Sequence, residues 1–206
     1  FEVDRVLGSG STARGLRVID HAAGGEKRVL KVGLSPDKDS TLHAEARAIE
    51  DLTRSVSDRR TSKHFVSLLE SPLNLPHNRT ALLLSDCGDY TLNDSLQLLE
   101  SSHKIFWESG EQLMDILVAL ESTGIVHRDI KPSNVGMLTK GGKRRLMLFD
   151  FSLADTPLED VRAGSPPYQD PFLVAKQQGR SQFDSAAERY SAAVVLLKIA
   201  TFKDPI

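Results

Sequence analysis

Apolar residues at the start of the chain fall in short strand-like runs. Phe1, Val3, Val6 and Leu7, then residues 16–19, then residues 28–32 predict three antiparallel strands, divided by a Gly/Ser segment and by Gly24 and Gly25. After Pro36 the period changes, and Leu42, Ala46, Ile49, Leu52 and Val56 recur at helical spacing with charged residues between them. Residues 65–69 and 81–84 predict two more strands on either side of the turn-rich 71–78. Beyond Asp89 the pattern is mainly helical: Leu92, Leu96 and Leu99 mark one helix, Phe106, Leu113, Met114, Leu117 and Leu120 a longer one ending at Gly124, and residues 184–201 a last one. Residues 135–138 and 146–149 interrupt it as a hairpin turned at Lys140, Gly141, Gly142 and Lys143. The expected fold is α+β and bilobal. A five-stranded antiparallel sheet with one helix occupies residues 1–84, a hinge 85–89, and a mainly helical part 90–206, with a ligand cleft between the two parts.

Composition excludes several classes of function. At 206 residues, with 40% hydrophobic and 26% charged residues, the chain has room for one or two packed domains and is neither disordered nor fibrous. Its net charge of −2 gives no basis for nucleic-acid or anionic-membrane binding through bulk charge. The basic cluster Lys140, Lys143, Arg144 and Arg145 reads as a solvated turn. A lone Cys87 excludes an internal disulfide framework, and neither a membrane-length apolar run nor a signal pattern is present, which together point to the cytoplasm. The chain opens on a strand and stops at Asp204, Pro205 and Ile206 just after an apolar helix. It therefore reads as part of a longer protein with further domains.

The chemistry concentrates in His127-Arg128-Asp129-Ile130-Lys131-Pro132-Ser133-Asn134, followed downstream by Asp150-Phe151-Ser152 after an apolar strand. This pairing resembles the catalytic loop and metal-binding motif of the eukaryotic-type Ser/Thr protein kinase family, and the resemblance covers essentially the whole chain. It implies transfer of the γ-phosphoryl group of ATP to a Ser/Thr hydroxyl of a protein substrate. Asp129 would be the base and Lys131 the contact to the transferring phosphate, while Asn134 and Asp150 are hard oxygen ligands suited to Mg²⁺. Lys31, ending Arg28-Val29-Leu30-Lys31, matches the strand lysine that holds the nucleotide phosphates. Its carboxylate partner is Glu45 or Glu50. Glu45 is favoured because Ile49 and Leu52 then fall where the family's helix packs inward. Leu7-Gly8-Ser9-Gly10-Ser11-Thr12-Ala13 supplies two glycines of the phosphate loop, with Ala13 at the third position. Leu84 would be the gatekeeper, the backbone of Asp86 and Cys87 would bind adenine, and Val29 would flank it.

Several positions depart from the family pattern. Ser152 replaces a glycine, Phe172 stands where a glutamate usually forms an ion pair, and Gly136 replaces the leucine that floors the adenine pocket, with Met137 a candidate to compensate. Arg128 is placed to receive a phosphate from the short segment after Ser152, with Thr156 a possible acceptor, or the segment is ordered without one. Glu188 would brace the catalytic loop. The runs 148–154 and 164–173 and the helix around Glu188 resemble the kinase of bacterial phage-growth-limitation and bacteriophage-exclusion systems. The family normally continues with helices beyond the last one here. Two rival readings are a pseudokinase scaffold, which the substitutions at Ala13 and Phe172 favour, and a small-molecule kinase, which the continuation Lys131-Pro132 disfavours.

Overall fold

Alternating apolar positions near the N-terminus form β1 (Glu2–Ser9), β2 (Ala13–Asp20) and β3 (Glu26–Gly33), paired antiparallel in a computed structural model that describes residues 1–96, 103–177 and 179–201. Leu99 and residues 204–206, used in the sequence reading, lie outside the described residues. Helix α1 (Asp39–Ser55) buries Leu42, Ala46, Ile49 and Leu52, the predicted stripe, and packs against the sheet. A single turn, α2 (Arg59–Ser62), follows, capped by the Asp58 carboxylate.

The fourth strand is not where the pattern put it. Residues 65–69 form no regular strand; β4 is Leu73–Leu75, inside the predicted turn, and pairs with β5 (Arg79–Ser85). The reason is divided loyalty. The Val66 N–H donates to the Leu148 carbonyl and the Leu148 N–H to the His64 carbonyl, whereas Leu69 and Ser85 exchange bonds with β5 and the connector. The segment stitches the sheet to the second half of the molecule and cannot pair with one neighbour throughout. The sheet order is β1-β2-β3-β5-β4, and β5 is its most deeply buried strand.

After the hinge, β6 (Tyr90–Thr91), absent from the sequence reading, leads into α3 (Leu92–Leu96), where Thr91 and Asp94 cap each other reciprocally. Helix α4 (His103–Thr123) ends at Gly124 in the left-handed region, φ 70°. The hairpin β7 (Val135–Lys140) and β8 (Lys143–Leu148) turns on Gly141 and Gly142, φ 58° and 74°, as a two-residue hairpin whose backbone requires positive φ at both positions. The short α5 (Pro171–Val174) and the long α6 (Ser185–Thr201) complete the described elements, and α6 packs on α4. One hydrophobic core runs from Val29 and Ile49 through Leu148 and Phe151 to Ile116 and Val195. Among the described residues no helix is long and apolar enough to cross a membrane.

Candidate active site

The loop between α4 and β7 holds the densest polar chemistry, and its own residues shape it. His127 is fully buried and neutral by burial; its Nε2 donates to the Phe149 carbonyl at 2.9 Å and its Nδ1 accepts from the Asp129 N–H at 3.2 Å. Its two partners define the tautomer, since a carbonyl only accepts and an N–H only donates. Glu188 on α6 accepts the His127 and Arg128 N–H groups through one oxygen, at 2.5 and 2.8 Å. Burial pushes its carboxyl up to about 7. Arg128 takes a left-handed backbone, φ 72°, unusual for a long side chain and sustained by these bonds.

Asp129 emerges from this loop half-sheltered. Its Oδ2 accepts from Lys131 Nζ at 2.6 Å and from Asn134 Nδ2 at 3.0 Å, while its buried Oδ1 has no hydrogen-bond partner among the described residues. Lys131 also donates to Ser165 Oγ at 2.7 Å. Asn134 spends its amide nitrogen on the Asp129 carbonyl and carboxylate, so the oxygen of its carboxamide is the atom left for a cation.

Lys31, from β3, meets Glu45, from α1, at 2.8 and 2.6 Å, and Asp150 at 2.7 Å. Glu45 is 1% exposed, whereas Glu50 faces solvent. Burial works against the Lys31 charge, but the two carboxylates outweigh it and raise its pKa. For Asp150, burial raises and Lys31 lowers; the cation and a hydrogen bond from Ser152 win, holding the carboxyl at about 2. Asp150 carries the positive φ of this motif, 69°; Ser152 does not, so no glycine is needed there. Phe151 is buried between His127 and Phe65, with ring centroids 4.7 and 6.3 Å away. An ionised carboxylate and an amide oxygen, both hard donors, fit a divalent cation such as Mg²⁺ that completes its shell with water and phosphate oxygens.

The opposite wall is lighter. Leu7, Gly8 and Ser9 end β1, and Gly10 donates to the Ala13 carbonyl at 2.9 Å to close the turn through Ser11; all but Ala13 are largely exposed. Val29 and Leu84 are buried register partners on β3 and β5. At the hinge, Asp86 and Cys87 are partly buried, and burial lifts the Cys87 thiol to about 11, well away from thiolate chemistry. Gly136 now has a physical reason: a Cβ there would sit 2.2 Å from the Cys87 carbonyl oxygen. The missing leucine makes room for the hinge backbone. Sequence reasoning missed Arg17 on β2. It is 1% exposed, donates to the Gly88 carbonyl at 2.7 Å and pairs with Asp89, tying the sheet to the hinge.

The segment after Ser152 bears on two of the departures from the family pattern. The Arg128 guanidinium is taken by the carbonyls of Thr156, at 2.7 Å, Pro157, at 2.9 Å, and Asp160, and lies 4.8 Å from the Phe183 ring. Both terminal nitrogens are held by backbone carbonyls, which matches the alternative of a segment ordered without a phosphate. Phe172 is 46% exposed and makes no ion pair, but Asp170, two residues earlier, does. Asp170 is 5% exposed, caps α5 through the Phe172 N–H and pairs with Arg180, which reaches Asp184 at 2.6 Å. Phe172 thus leaves the usual ion pair unmade, as expected, and Asp170 makes a separate one. An Asp before Pro at a helix start was the legible signal for the cap; its cationic partner was not.

These features define a two-part cleft with a lysine–carboxylate pair on one side and a carboxylate–amide loop on the other, the equipment of a phosphoryl-transfer enzyme. The profile of the protein kinase domain matches residues 1–206, and the chain belongs to that family. It is 34% identical to a probable kinase, PglW, of Streptomyces coelicolor over its full length, which is 14% of that protein. It is also 37% identical to the serine/threonine-protein kinase PkaA of the same organism over 46% of this chain and 18% of that one. To a maternal embryonic leucine zipper kinase of Xenopus tropicalis it is 26% identical, over 95% of this chain and 29% of the other. The chain is a protein kinase domain of the serine/threonine type and spans a small part of the relatives it matches.

Proposed function

We propose that the cleft binds ATP and that the domain transfers its γ-phosphoryl group to a Ser or Thr hydroxyl of a protein. The observation that carries the reading is the buried, unpartnered Oδ1 of Asp129, an oxygen aimed at no protein donor while its twin is held by Lys131 and Asn134. Asp129 takes the hydroxyl proton as the oxygen–phosphorus bond forms and the bond to the bridging oxygen of ADP breaks. Lys131, between Asp129 and Ser165, faces the charge that develops on the transferring group. Lys31, aimed by Glu45, holds the nucleotide phosphates. Asn134 and Asp150 would hold Mg²⁺, which would supply charge neutralisation for the phosphate oxygens. Leu7, Gly8, Ser9, Gly10 and Ser11 cover the phosphates with backbone N–H groups, and the Asp86 and Cys87 backbone meets adenine beside Val29 and Leu84.

The likeness to PglW, together with the runs resembling phage-growth-limitation kinases, supports a role in bacterial phage defence within a longer cytoplasmic protein. Asp129→Ala is expected to lower radiolabel transfer from ATP by roughly 10²–10⁴-fold while nucleotide affinity persists. Undiminished autophosphorylation in that variant refutes Asp129 as base. Metal-independent, substrate-independent nucleotide binding with no transfer in the parent would instead assign the domain to the pseudokinase class.

A further inference from the structure

A cavity of about 500 Å³ lies outside the cluster of catalytic candidates. Its walls come from the end of α1, the connector at 62–67, the first hinge residues and the β7–β8 hairpin. The floor is apolar: Leu52, Phe65 and Met147 are buried and Val56 is half-buried. Lys63 and Arg145 stand on the rim, both exposed, and neither has an acidic partner within ion-pair distance among the described residues. The two cations flank His64, whose pKa is pushed down first by burial and then by both of them. Along β8 the alternation of side chains puts Lys143 on the same face as Arg145 and Met147, so the positive rim continues up the hairpin. The acid on the wall, Asp86, is already matched: its Oδ1 accepts from the Gly88 N–H at 3.3 Å and lies 3.8 Å from Arg17. An apolar floor under unpaired cations selects for apolar side chains interspersed with carboxylates.

We infer that this cavity is a docking site for an acidic, apolar peptide segment of a protein partner, its apolar side chains on Leu52, Val56 and Met147 and its carboxylates on Lys63 and Arg145. The basic hairpin, which looked like an idle solvated turn, thereby acquires a ligand. The site does not rest on the phosphoryl-transfer reading, because binding is measured without turnover.

The probe is a capped, fluorescein-labelled peptide alternating leucine and glutamate, titrated onto the 206-residue chain by fluorescence anisotropy, with a leucine–lysine peptide as control. The acidic peptide is expected to bind saturably and the basic one not to. In Lys63→Glu/Arg145→Glu the acidic peptide should bind at least about tenfold more weakly, while the lysine peptide gains affinity. Both side chains are exposed, so thermal melting should be unchanged. Should the double variant fail to fold, Lys63→Glu alone and a salt titration of the parent provide the same reading, since affinity must fall as salt rises. Failure of the acidic peptide to bind the parent, equal binding to parent and variant, or salt-insensitive binding overturns the proposal. Self-association of the parent, abolished by the double variant in sedimentation, overturns it too, by giving the face to a second copy.

Discussion

The two walls of the cleft are held in different ways. On the catalytic-loop side, His127, Arg128 and Ile130 are buried, two backbone N–H groups end on Glu188, and the activation segment is pinned by the Arg128 guanidinium. On the glycine-loop side, β1 is exposed along almost its whole length and Gly8 and Gly10 meet nothing but strand pairing and one turn bond. The difference teaches where accuracy is required. Under the proposed function, proton transfer and metal ligation on the first wall would depend on atoms placed within tenths of an ångström, and that wall is over-determined; a cover for flexible phosphates would need only backbone N–H groups free to adjust.

That contrast can be broken at the heavy wall first. Arg180→Ala leaves Asp170 buried without its cation and should cost about 2–4 kcal/mol in denaturant unfolding; a loss below about 1 kcal/mol would show that the Asp170–Arg180 pair does not brace this side. Gly136→Ala forces a methyl against the Cys87 carbonyl and is expected to cost about 1–3 kcal/mol, with hinge amide resonances shifted in NMR spectra. Glu188 tests the wall by pH. Its folded pKa of about 7 lies above an unfolded value of about 4.3, so the folded state binds the extra proton between them, and stability falls as pH rises through that window by at most about 1.4 kcal/mol per unit. Glu188→Gln should flatten that slope; an unchanged slope assigns it to another group. On the light wall, Gly10→Ala has its nearest neighbour 3.9 Å away and should alter stability by less than about 0.5 kcal/mol while weakening nucleotide binding several-fold. A stability loss as large as that of Gly136→Ala would erase the distinction between the walls.

Much of the site was legible because kinase chemistry is written in short strings. Asp129, Lys131 and Asn134 lie on one loop, and the family resemblance favoured Glu45 over Glu50 because Ile49 and Leu52 then fall where the family's helix packs inward; Glu45, Ile49 and Leu52 are buried together on α1. The misses share one cause. Residues 65–69 have strand composition, yet their hydrogen bonds go to two different partners, which periodicity does not register. The Asp170–Arg180 pair went unread because a family pattern scores positions and not which cation lies within reach of a carboxylate. For Arg128 the sequence leaves two readings open, a phosphate receptor or a segment ordered without one; its occupancy by carbonyls depends on how the segment from Thr156 to Asp160 folds back over it.

From residue order alone come the kind of protein, four of the five strands of the sheet with its helix, and the identities of the polar groups, because strand and helix periods and short motifs are local properties of the chain. Tertiary structure alone decided that Lys31 also meets Asp150, that a Cβ at Gly136 would collide with the Cys87 carbonyl, and that Lys63 and Arg145 share the rim of one cavity. Those are contacts between residues far apart in sequence. They are settled by packing and by the need of every buried polar group for a partner, and no local pattern encodes either.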